Sequence, residues 1–90
     1  MKPSEFRRGI KHGDRVRLAR GDIRDGADIS MLRRFVGLSQ TKFAEALGIS
    51  VHTLRGWEQG RRTPHGPALA LLRIAARHPK AVIENVASAA

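Results

Sequence analysis

Ninety residues give room for one small core and an appendage, and exclude two independently folding domains. Seventeen Lys and Arg against eight Asp and Glu leave a formal net charge of +9, which favours a polyanionic partner: nucleic acid first, an anionic membrane surface second. Cysteine is absent, so disulfides, thiol catalysis and thiolate zinc sites are excluded together.

Residues 1–28 carry eight basic and five acidic side chains and four glycines, Gly9, Gly13, Gly21 and Gly26. The first eight residues hold no apolar stretch resembling a signal peptide, and the chain reads as soluble and cytoplasmic. Besides Met1 the only large apolar groups here are Phe6, Ile10, Val16, Leu18 and Ile23. Phe6 and Ile10 are spaced for one helical turn, so 4–19 is expected to be a marginal helix, weakened by its glycines by up to about 1 kcal/mol each. Residues 20–28 read as a mobile linker. An arm of this composition suits either a segment that orders against a second protein or a basic strap along a DNA backbone.

From residue 29 the texture changes. Ile29, Leu32 and Val36 fall on one face of a short helix that Gly37 ends. Ser39 can cap a second helix with Phe43, Ala44 and Leu47 facing inward, closed by Gly48. Ser50 can cap a third, with Val51, Leu54 and Trp57 on its apolar side and Gly60 as terminator. Only Gly48-Ile49-Ser50 separates the second helix from the third, and a turn of about three residues containing Gly between short helices is the mark of a helix-turn-helix. The breaker cluster Thr63-Pro64-His65-Gly66-Pro67 precedes a fourth helix, to about Arg77, that is apolar nearly all round. After His78-Pro79, residues 80–87 suit a fifth helix. No strand pattern of useful length is present. The expected fold is all-α, with an N-terminal arm over 1–28 and a five-helix domain over 29–90.

The chemistry concentrates between residues 37 and 64. A helix-turn-helix seats its second helix on apolar positions, here Phe43, Ala44, Leu47, Ile49, Leu54 and Trp57, and frees the outer side for the major groove. Val51, His52 and Arg55 start that outer side, with Gly56 further along. Arg reads guanine bidentately, His bonds base edges, and a small apolar group meets a thymine methyl. Gln40, Thr41 and Thr53 sit at helix N-termini, where donors meet phosphate, and Arg61 and Arg62 in the next loop would add phosphate contacts. The plain alternative for each polar residue is a solvated surface position.

The stretch from Leu54 through Gly56-Trp57-Glu58-Gln59-Gly60-Arg61-Arg62-Thr63-Pro64 to Ala68, continued by Leu71-Leu72-Arg73 and His78-Pro79, resembles the phage-repressor (Cro/lambda-repressor) class of helix-turn-helix, and more narrowly the HigA-type antitoxins. The resemblance covers about residues 29–86. It implies DNA contacts from Gln40, Val51, His52, Thr53, Arg55 and Arg61, and a partly buried salt bridge between Arg33 and Glu58. It also implies a homodimer that represses its own operon at a palindromic double-stranded operator and neutralises a RelE/HigB-like, mRNA-cleaving toxin. A stand-alone transcriptional regulator without a toxin is the alternative. A third class, RNA binding by charge alone, predicts weak sequence discrimination and no palindromic site.

Leu69, Ile74, Val82, Ile83 and Val86 are the expected dimer seam, since so small a domain cannot bury every apolar face alone. The opposing reading is that the fifth helix folds back on its own domain. Trp57, spaced one turn from Leu54, is expected to be mostly buried. His12, His52, His65 and His78 are scattered, so neither a metal nor a cofactor is expected. No nucleophile triad, carboxylate pair or Gly-rich phosphate loop is present, so no enzyme is expected.

Overall fold

The computed structural model describes the backbone of residues 9–89 and side chains as far as Val86; the part of the expected first helix at 4–8 lies outside the described residues. Six helices follow one another: α1 (His12–Ala19), α2 (Gly26–Val36), α3 (Gln40–Leu47), α4 (Val51–Glu58), α5 (Pro67–Arg77) and α6 (Pro79–Ala89). No strand occurs among the described residues. The architecture is all-helical, with six described helices where five and an arm were expected.

The helix ends follow local chemistry. Ser39 and Ser50 accept the backbone N–H groups of Lys42 and Thr53 at 3.2 and 3.0 Å, each relieving a donor that the first turn leaves without a partner. Gly37 and Gly48 close α2 and α3 in the left-handed region, at φ of 91° and 71°, which a side chain would resist. Pro67 sits in the first turn of α5, where its missing N–H costs nothing.

Leu18, Ile29, Leu32, Val36, Phe43, Leu54 and Leu72 form the innermost core, with Trp57, Ala75, Ala76 and Val82 around them. Helix α6 packs most extensively on α3 and also reaches α2. Asn85 Nδ2 donates to the carbonyl of Ala46 at 2.5 Å, tying α6 to the end of α3.

Two expectations need correction. Residues 20–28 are not a linker. Leu18 of α1 is wholly enclosed in the common core, and the chain returns from α1 to α2 through a tight turn in which Gly21 N–H bonds Leu18 O at 2.8 Å and Asp22 N–H bonds Arg17 O at 3.1 Å. Helix α2 begins at Gly26, three residues before its apolar stripe, because Asp25 caps it by accepting from Asp28 N–H at 3.0 Å. Asp28 is itself buried and takes two bonds from the Arg17 guanidinium, at 2.6 and 2.8 Å. Arg17 also reaches Asp14 Oδ1 at 3.1 Å and Asp22 O at 3.0 Å. The turn is held by ion pairing and capping, neither of which an apolar count registers. Gly26 has a second role: a Cβ there would collide with the carbonyl oxygen of Trp57 and lie 2.8 Å from that of Glu58, so the start of α2 abuts the end of α4 only with glycine.

The expected dimer seam is divided. Val82 is 7% exposed in the core and Val86 packs against it, because α6 folds onto α3 within the same chain. Leu69 lines a groove of about 270 Å³ with Ile23, Ile29, Trp57 and Pro64, whereas Ile74 borders a separate groove of about 220 Å³ with Leu71, His78 and Val82. Ile74 and Ile83, 54% and 41% exposed, are the two of the five that face outward.

Candidate nucleic-acid interface

Helices α3 and α4 make the helix-turn-helix pair. The turn is tight: Gly48 N–H bonds Glu45 O at 3.2 Å and Ile49 N–H bonds Ala44 O at 3.0 Å. Phe43 and Ala44 from α3 and Leu54 and Trp57 from α4 are buried, with Leu47 and Ile49 packed beside them. That apolar wedge fixes the angle of α4 and turns His52 and Arg55 outward, both exposed.

A polar chain locks the arrangement from beneath. Arg33 on α2 donates through Nε to Glu58 Oε2 at 2.9 Å and through Nη2 to Oε1 at 3.1 Å, a bidentate pair. Its Nη1 also donates to Leu38 O at 3.1 Å. Both side chains are largely enclosed, so the pair is shielded from competing water. Gln40, the first residue of α3, donates through Nε2 to Glu58 Oε1 at 3.4 Å and accepts at Oε1 from Arg55 Nε at 3.3 Å. The chain Arg33–Glu58–Gln40–Arg55 thus runs from the enclosed ion pair to the outer face of α4 and restrains Arg55 through its Nε.

The expected contact residues fall into three groups. His52, Arg55, Arg61 and Arg62 are exposed, and Thr41 is exposed at the start of α3. Gln40 is half-buried within the polar chain. Thr53 is half-buried at the α4 N-terminus, its Oγ1 3.0 Å from Ser50 Oγ. Val51, which the sequence places both on the apolar side and at the start of the outer side, departs from the outward reading: it is half-buried and packs on the core, as its apolar side chain favours. Gly56 departs further, being buried. The Arg62 side chain covers it, and a notch of about 190 Å³ opens between His52, Gly56, Arg61 and Arg62. Trp57 is 6% exposed and belongs to the core.

Among the described residues no carboxylate forms an ion pair with Arg55, Arg61 or Arg62. Three guanidinium charges therefore face solvent within one turn of helix and its following loop, the disposition that attracts a polyanion. The described residues contain no group of three His, Asp or Glu able to hold a metal ion, and no helix long and apolar enough to cross a membrane.

Sequence reasoning missed the Arg17–Asp28 pair and the start of α2. A signal was present: Asp25-Gly26-Ala27-Asp28 places a capping residue three positions before an acid, much as a capping box does.

Comparison with known proteins agrees with this geometry. A family model described as a helix-turn-helix domain matches residues 13–79. The antitoxin HigA-2 of Vibrio cholerae serotype O1 (strain ATCC 39315 / El Tor Inaba N16961) is 42% identical over 53 residues, covering 59% of this chain and 51% of that protein. The chain thus spans about half the length of that relative. No solved structure matches. Both matches fall on non-enzymatic families. The matched region takes in most of α1, the α3–turn–α4 pair, the Arg61–Arg62 loop and all of α5, and the chain belongs to the helix-turn-helix domain family.

Proposed function

We propose that this protein is a sequence-specific, double-stranded-DNA-binding transcriptional repressor, working in the cytoplasm as a homodimer on a palindromic operator. The observation that carries the reading is the polar chain behind Arg55. An arginine tethered through Gln40 and Glu58 to the largely enclosed Arg33 is restrained before any ligand arrives, which favours bidentate reading of a base edge. His52 beside it faces the same groove, while Thr41, Thr53, Arg61 and Arg62 flank it as phosphate contacts.

One recognition helix makes too few contacts to find a single site, so two copies would read half-sites about 34 Å apart. The outward-facing Ile74 and Ile83 on α5 and α6 are the pairing surface this reading assigns. An Ile74→Asp/Ile83→Asp variant is expected to sediment as a folded monomer; a dimer of undiminished stability would rule that surface out.

Selection of bound duplexes from a random library tests DNA reading directly. The proposal requires enrichment of one palindromic sequence with half-site centres about one helical turn apart. Retention of every sequence alike would contradict it.

The likeness to a protein named as an antitoxin supports a further part of the proposal, that the chain neutralises a RelE/HigB-like toxin and represses the operon encoding both. Purification of the chain from its native operon is expected to bring down a small basic partner whose RNA cleavage it suppresses. Recovery of the chain alone, with operator binding intact, would favour a stand-alone regulator.

A further inference from the structure

Glycine inside a helix costs roughly 1 kcal/mol against alanine, so a buried glycine on an outer face needs a reason. Gly56 is the sixth of the eight residues of α4, one turn beyond the exposed His52, with which it borders the notch. What approaches it is Arg62. A Cβ at position 56 would lie 3.1 Å from Arg62 Cδ and 3.2 Å from Cγ, closer than ordinary carbon contact.

The backbone brings Arg62 there. Gly60 turns the chain at φ 78°, and the N–H groups of Arg61 and Arg62 both bond the Gly56 carbonyl, at 2.9 and 3.1 Å. The loop is thereby pinned to the same residue whose missing side chain makes room. The Arg62 stem lies across α4, and Arg62, in no ion pair among the described residues, lines the notch together with His52 and Arg61.

We infer that Arg62 is a base-reading, specificity-determining side chain, occupying from the loop the place on the recognition face that Gly56 leaves open. This rests on the DNA-binding reading above and replaces, for Arg62, the phosphate contact assigned there. Arg61, whose side chain is not among the atoms nearest the open position at Gly56, keeps the phosphate role. A guanidinium on the groove face reads guanine through two parallel bonds, whereas a lysine there would keep the charge and lose the pair.

The test measures affinity for the selected palindrome and for its single-base-pair variants, using the full chain and its Arg62→Ala, Arg62→Lys, Arg61→Ala and Gly56→Ala forms. Arg62→Ala is expected to lose about 5- to 150-fold of discrimination at one base pair in each half-site. Arg62→Lys should lose the same discrimination while keeping the salt dependence. Gly56→Ala should alter preference at that base pair with no loss of thermal stability, since the helix gains what the displaced, exposed arginine gives up. Arg61→Ala should weaken all duplexes alike. If Arg62→Ala instead weakens every duplex by one common factor, Arg62 is a phosphate contact and the inference fails while the DNA-binding reading stands. If the unaltered chain selects no palindrome, both fall.

Discussion

Arginine serves opposite purposes at the two ends of this molecule. At the α1–α2 junction Arg17 is turned inward, its guanidinium shared among Asp28, Asp14 and the Asp22 carbonyl, and Asp28 is buried beneath it. On α4 and its following loop Arg55, Arg61 and Arg62 face solvent without a counter-charge among the described residues. A neutralised arginine fixes a fold; an unneutralised one is available to a ligand. The net charge of +9 therefore overstates what the junction offers a polyanion and understates how strongly the α4 face is biased.

Substitutions should separate the two regions. The largest effect on folding is expected at Leu18, wholly enclosed although the sequence reads as a marginal helix there: Leu18→Ala should cost about 2–5 kcal/mol in denaturant unfolding. A cost near zero would show that α1 is not part of the cooperative unit. Gly26→Ala should follow at about 1–3 kcal/mol, because the new methyl meets the Trp57 and Glu58 carbonyls and α2 must retreat.

On the other side of the comparison, Arg55→Ala should leave unfolding within about 0.5 kcal/mol of the parent. It should also relax discrimination at particular base pairs by about 1–3 kcal/mol. Undiminished discrimination between operator and random duplex in Arg55→Ala would remove Arg55 from the reading set. Arg61→Ala is expected to reduce the slope of log affinity against log salt by about 1.

The smallest effect concerns pH. The hydrogen bonds from Arg17 hold the Asp28 carboxyl below the usual carboxylate range, helped by the backbone N–H of Arg24 and opposed by burial. A carboxylate lowered by folding contributes its full stability above the unfolded value, about 3.9, and loses it as pH falls through the folded one. The melting temperature should therefore drop on acidification below about pH 4, and drop less steeply in Asp28→Asn. Equal slopes would place the acid sensitivity elsewhere.

Much of the fold was legible because its signals are local. Ser39, Ser50, Gly37 and Gly48 mark helix ends by their own chemistry, and the three-residue turn follows from their spacing. The junction was not legible in the same way. Arg17 and Asp28 are eleven residues apart, and each reads as a solvated charge until the turn between them is known. The fifth expected helix was found in sequence, yet its partner was not, since an apolar face carries no mark of whether it packs on its own α3 or on a second chain. Gly56 reads as an open outer position because a sequence shows the missing side chain and not the Arg62 stem above it.

Which surface meets DNA is tested most directly by amide chemical shifts recorded as a selected duplex is added to the labelled chain. Perturbations concentrated at His52, Arg55, Gly56, Arg61 and Arg62, with Leu18 and Asp28 unmoved, are the predicted result. Shifts centred on the α1–α2 junction while α4 stays silent would contradict it.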